Sequence, residues 1–455
     1  MATKPPGPPL MPSPTGGNTP PASVPLSFLA TAGLGLIGFG FVTWFAADRS
    51  VVSPTHSGVV SNVHMGVLAF LTVGVLGALH QFAPVVGGRK LRSVPVAWMT
   101  YATMVSAAWI LPNGFAHGPE YLVATGGVLG SIAVLLAAWN LSGPLSSRTG
   151  GVPLVGLRLS VSYLVVTVGF GVTYAFDRTE GWFGLLPHRV LAHAHLGLLG
   201  WLGLTYVSVA ERLWPMFLLA HRPSQRSGAW AVGLLSGGTA VLATGLLIGN
   251  KPTSVGGGAI VIGGIAAHLT SLVGSVKHRR RGLELLHWFL FVSAGFLVTA
   301  VVLGVIAGLV PMSTVHLSRV VSAEVAALIA WLSLAIIGHV HKIVPFISFA
   351  ALRAKGVRNN RSGKPLLFGD LYTKWAGWVT LGASGTGFAS IITGLLVSSA
   401  TVVAVGGVLI VVAGTVGGAN LTIGPMRARS LPRTPVPARP AGPQAIPVDM
   451  TKARK

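Results

Sequence analysis

The chain has 455 residues, of which 51% are hydrophobic and only 9% charged, with a mean hydropathy of +0.71. A soluble domain carries about 25% charged residues, so this chain cannot cover itself against water and lipid must be its solvent. The net charge of +23 sits in loops between apolar spans, which excludes nucleic-acid binding as its reason and follows the positive-inside rule. Cysteine is absent. A disulfide framework, a thiolate metal site and an iron–sulfur cluster are therefore excluded, and metal chemistry falls to histidine, carboxylate, methionine or backbone ligands.

A bilayer span needs about 20 apolar residues in a helix. That test predicts an all-α membrane protein with twelve transmembrane helices. The first six run over 26–47, 61–86, 94–112, 121–142, 154–176 and 189–219. The others run over 229–249, 256–275, 285–310, 316–350, 374–397 and 400–420. The tenth is too long for a simple span and must begin or end outside the hydrocarbon. Proline-rich residues 1–25 and basic residues 421–455 are expected to be disordered tails flanking a membrane domain over 26–420. Alternate loops are rich in Arg and Lys, which places those loops and both termini on the cytoplasmic side of the cytoplasmic membrane.

Three segments repeat one outline. HMGVLAFLTVGVLGALHQFAP ends at Pro84, HLGLLGWLGLTYVSVAERLWP at Pro215 and VAALIAWLSLAIIGHVHKIVP at Pro345. The three match in length, and their closing prolines are almost evenly spaced along the chain. Four spans per period predicts three pseudo-repeats of four helices.

This register sorts the polar residues by depth. His64 and His195 share the outer position, which Val325 takes in the third copy. His80, Glu211 and His341 share a position sixteen residues on, about 24 Å along a helix, near the cytoplasmic end, where they could form a proton entry. His56, His117, His188, His193 and His316 also fall on the outer side; His221, His268, His278, His287 and His339 fall on the inner. A lone histidine at a span end is ordinarily an interfacial residue. Two in register are better read as ligands, since neutral imidazole binds heme iron and copper. His64 with His193 or His195 would supply axial imidazoles from two helices at one depth. Residues two apart on a helix point about 200° apart, so His193 and His195 serve opposite flanks.

Glu211 and Glu324 are the acidic residues well inside spans, and an intramembrane carboxylate is a functional hypothesis by default. Glu324 could face a heme pocket or relay protons. Glu211 could equally pair with Arg212. Trp44, Trp98, Trp109, Trp182, Trp214 and Trp288 read as an interfacial belt, and PNGFAHG, ending at Gly118, reads as an outer loop.

The stretch HAHLGLLGWLGLTYVSVAERLWP resembles the His-x-His helix of the heme-copper oxidase catalytic subunit, closest to its cbb-type and nitric-oxide-reductase-like branches. The resemblance in topology covers 26–420 and the motif likeness the second, sixth and weakly the tenth spans. It implies a membrane heme protein in respiratory electron transfer or in oxygen or nitric-oxide reduction. It implies b-type heme held by His64, with His193, His195 and His316 as further cofactor ligands. It also implies His195 as a copper ligand, while Glu324, on its depth alone, is the candidate catalytic carboxylate. The family's tenth-span His-x-His falls here on Ala323 and Val325, with His316 the nearest substitute. The seventh span lacks the histidine pair that copper needs. Implied partners are a quinol or a separate cytochrome or cupredoxin donor, and companion respiratory subunits. A heme-free metal transporter or sensor, and a structural or assembly subunit without cofactors, are the alternatives.

Overall fold

The structure is a computed structural model and describes residues 17–220 and 225–433. Twelve helices among them are long and apolar enough to cross a membrane, and no strand forms beyond two isolated bridges. The chain is an all-α integral membrane protein. We number the spanning helices in order. They are α1 (Ser23–Phe45), α2 (Ser57–Gly87), α3 (Val94–His117) and α4 (Tyr121–Leu145). Next come α5 (Gly151–Glu180), α6 (Pro187–Leu218), α7 (Arg226–Leu247) and α8 (Lys251–Lys277). The last are α9 (Leu285–Leu309), α10 (Thr314–Ala354), α11 (Lys374–Val397) and α12 (Ala400–Ala428).

The most buried spans are α2, α6 and α10, the three that carry the repeated outline. They meet in the middle of the bundle, where Trp201 of α6 donates from Nε1 to Thr72 Oγ1 of α2 at 3.3 Å. Gly203 of α6 faces the Trp331 ring of α10, and both tryptophans are buried. Around this core the most extensive helix pairings are α3 with α4, α7 with α8, α9 with α10 and α11 with α12. In three of these hairpins a glycine sets the approach. A methyl on Gly126, Gly238 or Gly406 would run into α3, α8 or α11, respectively. Small residues do this in membranes because lipid gives helices no hydrophobic drive to associate, so close backbone packing must supply it.

Several structural details recur along the chain. A π-helical turn occupies Met65–Thr72 in α2 and Leu196–Gly203 in α6, starting in each case immediately after the register histidine, His64 or His195. In α1 and α2, Phe28 stacks on His80 at 5.3 Å with Gly77 beneath it. In α9 and α10, at the matching positions two periods later, Phe289 stacks on His341 at 5.2 Å with Gly338 beneath it. Asn140 of α4 accepts the Ser93 backbone N–H at the start of α3, and Asn420 of α12 accepts that of Thr373 at the start of α11.

Some boundaries differ from those expected. Pro345 does not close its helix: α10 continues to Ala354, a rod about 60 Å long against a hydrocarbon layer of about 30 Å. Its far end is held by a small core of Leu352, Val357, Leu366, Leu371 and Ala428. The same core carries α12 to Ala428, beyond the expected end at 420. The PNGFAHG segment is helical through His117, with Pro112 inside α3. Trp214 is buried rather than interfacial. The tail expectations for 1–16 and 434–455, and His221, lie outside the described residues.

Candidate functional site

His64 stands at the end of the α-helical first turns of α2, and its Nδ1 donates to the Val60 carbonyl at 2.8 Å. That bond fixes the tautomer and leaves Nε2 with its lone pair, the form in which imidazole binds a metal. Across from it lies His193 of α6. The two ring centroids are 6.3 Å apart and their planes differ by 25°. Phe115 of α3 stacks on His64 at 5.3 Å, and Tyr174 of α5 meets the His193 ring edge-on at 5.9 Å. Gly171 of α5 faces His193 Cε1, so that flank carries no side-chain bulk. His193 Nδ1 is buried without a hydrogen bond of good geometry, as are ring nitrogens of His80, His268, His287, His339 and His341. Arg178 lies over Phe115 and pairs with Glu120 at 3.4 Å, closing the outer rim.

His195 turns to the opposite flank of α6, as its spacing of two from His193 requires. Its Nδ1 donates to the Leu191 carbonyl at 2.8 Å, and its Nε2 meets Glu324 Oε1 of α10 at 3.4 Å. The two side chains are only 8% and 14% exposed. Gly304 of α9 makes room for the carboxylate, since a methyl there would sit 2.9 Å from Glu324 Oε1. Because Nδ1 already spends its proton on a carbonyl, a hydrogen bond between Nε2 and the carboxylate needs one further proton between them. The pair is either imidazolium and carboxylate or imidazole and carboxylic acid. In both forms it holds one proton and no net charge, which is how an ionisable pair is tolerated at such depth.

The structure thus brings His64 to His193 and His195 to Glu324, on two sides of one helix. It does not bring His316 to either pair. That residue is exposed at the first turn of α10, where its Nδ1 bonds Ser313 Oγ at 2.8 Å and Ser313 caps the helix. Among the described residues no three His, Asp or Glu side chains converge as a metal-binding group.

The inner layer also divides differently from the sequence register. His80 and His341 each sit in a phenylalanine pocket, with Nδ1 bound to a carbonyl of the same helix. Glu211 faces neither of them. Its Oε2 accepts from Ser271 Oγ at 2.8 Å, and its Oε1 lies 3.6 Å from His268 Nδ1, both on α8. Tyr206 sits against both the His268 and His339 rings. Sequence reasoning did not single out Tyr206, Tyr174 or Phe115, and it placed His268 among the inner histidines without giving it a role. For His268 the one available signal was its depth inside an otherwise apolar span.

The chain matches no protein-family model and no curated protein.

Proposed function

We propose that the chain is a membrane heme protein resembling the catalytic subunit of heme-copper oxidases, working in respiratory electron transfer, with His64 and His193 as the residues that would hold a b-type heme. The observation that carries this reading is the disposition of the two imidazoles. Metal–imidazole bonds of about 2.0–2.1 Å on opposite sides of one ion place the ring centres about 6 Å apart, and these two lie 6.3 Å apart on different helices. His64 already has the ligand tautomer, and His193 has a buried nitrogen without a hydrogen bond of good geometry. The donor set fits a heme better than a bare ion, because the macrocycle brings four ligands of its own and asks the protein for two.

The group would supply a one-electron redox centre; the chain's own residues hold it, bury it and set its surroundings. With both imidazoles engaged in holding it, the group would serve electron transfer rather than oxygen or nitric-oxide reduction. His195 is engaged by Glu324, so in this reading it belongs to a proton-holding pair beside the heme rather than to a copper site.

The grouping of the helices into three units of four belongs to the same reading. It is supported by the π-helical turns that follow His64 and His195 alike, and by the two matching phenylalanine–histidine stacks. The basic loops support a cytoplasmic-membrane protein with both termini inside. A quinol or a separate cytochrome or cupredoxin is then the electron donor, and companion respiratory subunits are the expected neighbours.

The test is the reduced-minus-oxidised absorbance spectrum of the purified protein, with His64→Ala, His193→Ala and His195→Ala alongside. The reading expects sharp α and Soret bands that vanish in the first two variants and persist in the third. Bands unchanged in His64→Ala and His193→Ala would overturn the ligand assignment. A heme-free protein with stoichiometric zinc or copper would point instead to a metal transporter or sensor, and one with neither to a structural subunit.

A further inference from the structure

At the basic end of α11 and α12 the loop between α10 and α11 folds into an ordered cap. Val357 bridges to Arg433 and Asn359 to Pro365, while Leu366 N–H donates to the Arg358 carbonyl at 2.9 Å. The cap rests on α12 without spacing, because Gly424 lies directly under the Leu371 carbonyl, where any side chain would collide. Asn420 clamps the entry to α11 by accepting from Thr373 N–H at 2.7 Å and donating to the Thr373 carbonyl at 3.1 Å.

Between this cap and the two helices lies a groove of about 660 Å³, a size that ligand sites commonly have. Its two ends differ in chemistry. One part is lined by the apolar side chains of Trp375, Val416 and Ile423, with Trp375 68% and Ile423 45% exposed. Toward the loop it is lined by Arg361 and Arg427. Neither guanidinium has a carboxylate partner among the described residues. The lining carboxylate, Asp370, is engaged elsewhere: its Oδ2 accepts from Leu367 N–H at 2.8 Å and from Asn360 Nδ2 at 3.3 Å. Arg358, Lys364, Arg429 and Arg433 add positive charge in the same loop and helix end.

We propose that this groove is a binding site for one anionic phospholipid, its phosphate held by Arg361 and Arg427 and an acyl chain laid along Trp375, Val416 and Ile423. Two unpaired guanidiniums match a phosphodiester, which each can grip with two parallel N–H donors. Trp375 and Ile423 leave the apolar part open at the protein surface, where an acyl chain can lie, whereas a free phosphate or a water-soluble anion would have no use for it. The placement, at the headgroup level on the positively charged face, is where basic pockets between helices take anionic lipids. This proposal is independent of the heme.

Native mass spectrometry of the detergent-purified protein tests it, using phosphatidylglycerol and phosphatidylcholine with identical chains. One retained phosphatidylglycerol per chain is expected, favoured over phosphatidylcholine by roughly fivefold for each arginine near the headgroup. The Arg361→Gln/Arg427→Gln variant should retain both lipids equally, whereas Arg89→Gln, in the loop between α2 and α3, should behave as the parent. Ala419→Phe, which fills the apolar half and leaves both charges, should also lose the lipid. Equal retention of the two lipids by the parent protein, or undiminished phosphatidylglycerol in the double-arginine variant, would overturn the proposal. Release of the lipid by millimolar inorganic phosphate, with no effect of Ala419→Phe, would also overturn it by assigning the site to phosphate alone.

Discussion

The pair formed by His195 and Glu324 permits a quantitative test of the claim that one proton is shared between α6 and α10. The partners are 3.4 Å apart and nearly buried. At an effective dielectric constant of about 20, charges at that distance attract by about 5 kcal/mol, but burying them costs a comparable amount. Removing one partner does not leave a bare charge, because the survivor changes protonation and neutralises itself. Its cost is then a buried polar group without its bond, roughly 1–3 kcal/mol. The variants His195→Leu and Glu324→Met are therefore each expected to lose about that much. The double variant should lose no more than the worse single, giving a coupling of about 1–3 kcal/mol. Gly304→Ala, whose methyl would sit 2.9 Å from Glu324 Oε1, should mimic Glu324→Met and add little on top of it. Unfolding in detergent, followed by tryptophan fluorescence against denaturant, measures all of these. Additive losses in the double variant would refute the shared proton.

Other consequences can be checked in the same preparation. Asn420→Ala removes two hydrogen bonds to Thr373 and Asn140→Ala removes one to Ser93 N–H. Losses of about 1–2 kcal/mol are expected in the first and less in the second, and the reverse order in thermal midpoints would contradict the capping role. Glu284, just outside α9, is pulled up by burial, but the Lys342 ammonium at 2.5 Å and Arg281 at 3.0 Å hold its carboxyl below the usual range. A carboxyl lowered on folding contributes stability above its unfolded value, about 4.3, and loses it as pH falls through the folded value. The stability gap between the parent and Glu284→Gln should therefore be constant from neutral pH to about 5 and narrow with further acidification; a gap that widens would contradict the ion pairs. Gly228→Val should disturb the inner cluster, since a Cβ there lies 2.5 Å from Glu211 Oε2. Its effect should fall sharply in a Glu211→Ala background.

The sequence and the structure part company where contacts replace local pattern. Twelve spans were legible because a backbone in lipid must satisfy its own hydrogen bonds, so any long apolar run becomes a helix. That His64 meets the sixth span was legible too, from depth, but the pattern left His193 and His195 open, and only the fold puts His193 opposite it. The partner of His195 was not legible, since nothing in the order of residues says that α6 and α10 touch at Glu324, or that Gly304 clears the space. Glu211 was drawn toward His80 and His341 by the repeat, but in the fold α8 supplies its neighbours His268 and Ser271. His316 looked like a substitute ligand because it is the histidine nearest to Ala323 and Val325 on the outer side. Its local motif, Ser313 three residues earlier, is that of a helix start, and the ring is used there. The π-helical turns left no trace in periodicity, because an extra residue in one turn of an all-apolar run exposes nothing different to lipid. They begin immediately after His64 and His195, and π-helical turns often accompany function.

The central claim, a heme between His64 and His193, is tested most directly by low-temperature electron paramagnetic resonance of the oxidised protein. Two imidazoles whose planes differ by 25° are close to parallel, and a low-spin iron between near-parallel rings gives a rhombic three-line spectrum. The account predicts that spectrum, at one heme per chain, and its loss in both His64→Ala and His193→Ala. A high-spin signal, or a single strongly anisotropic low-field line from perpendicular rings, would contradict the His64–His193 pair.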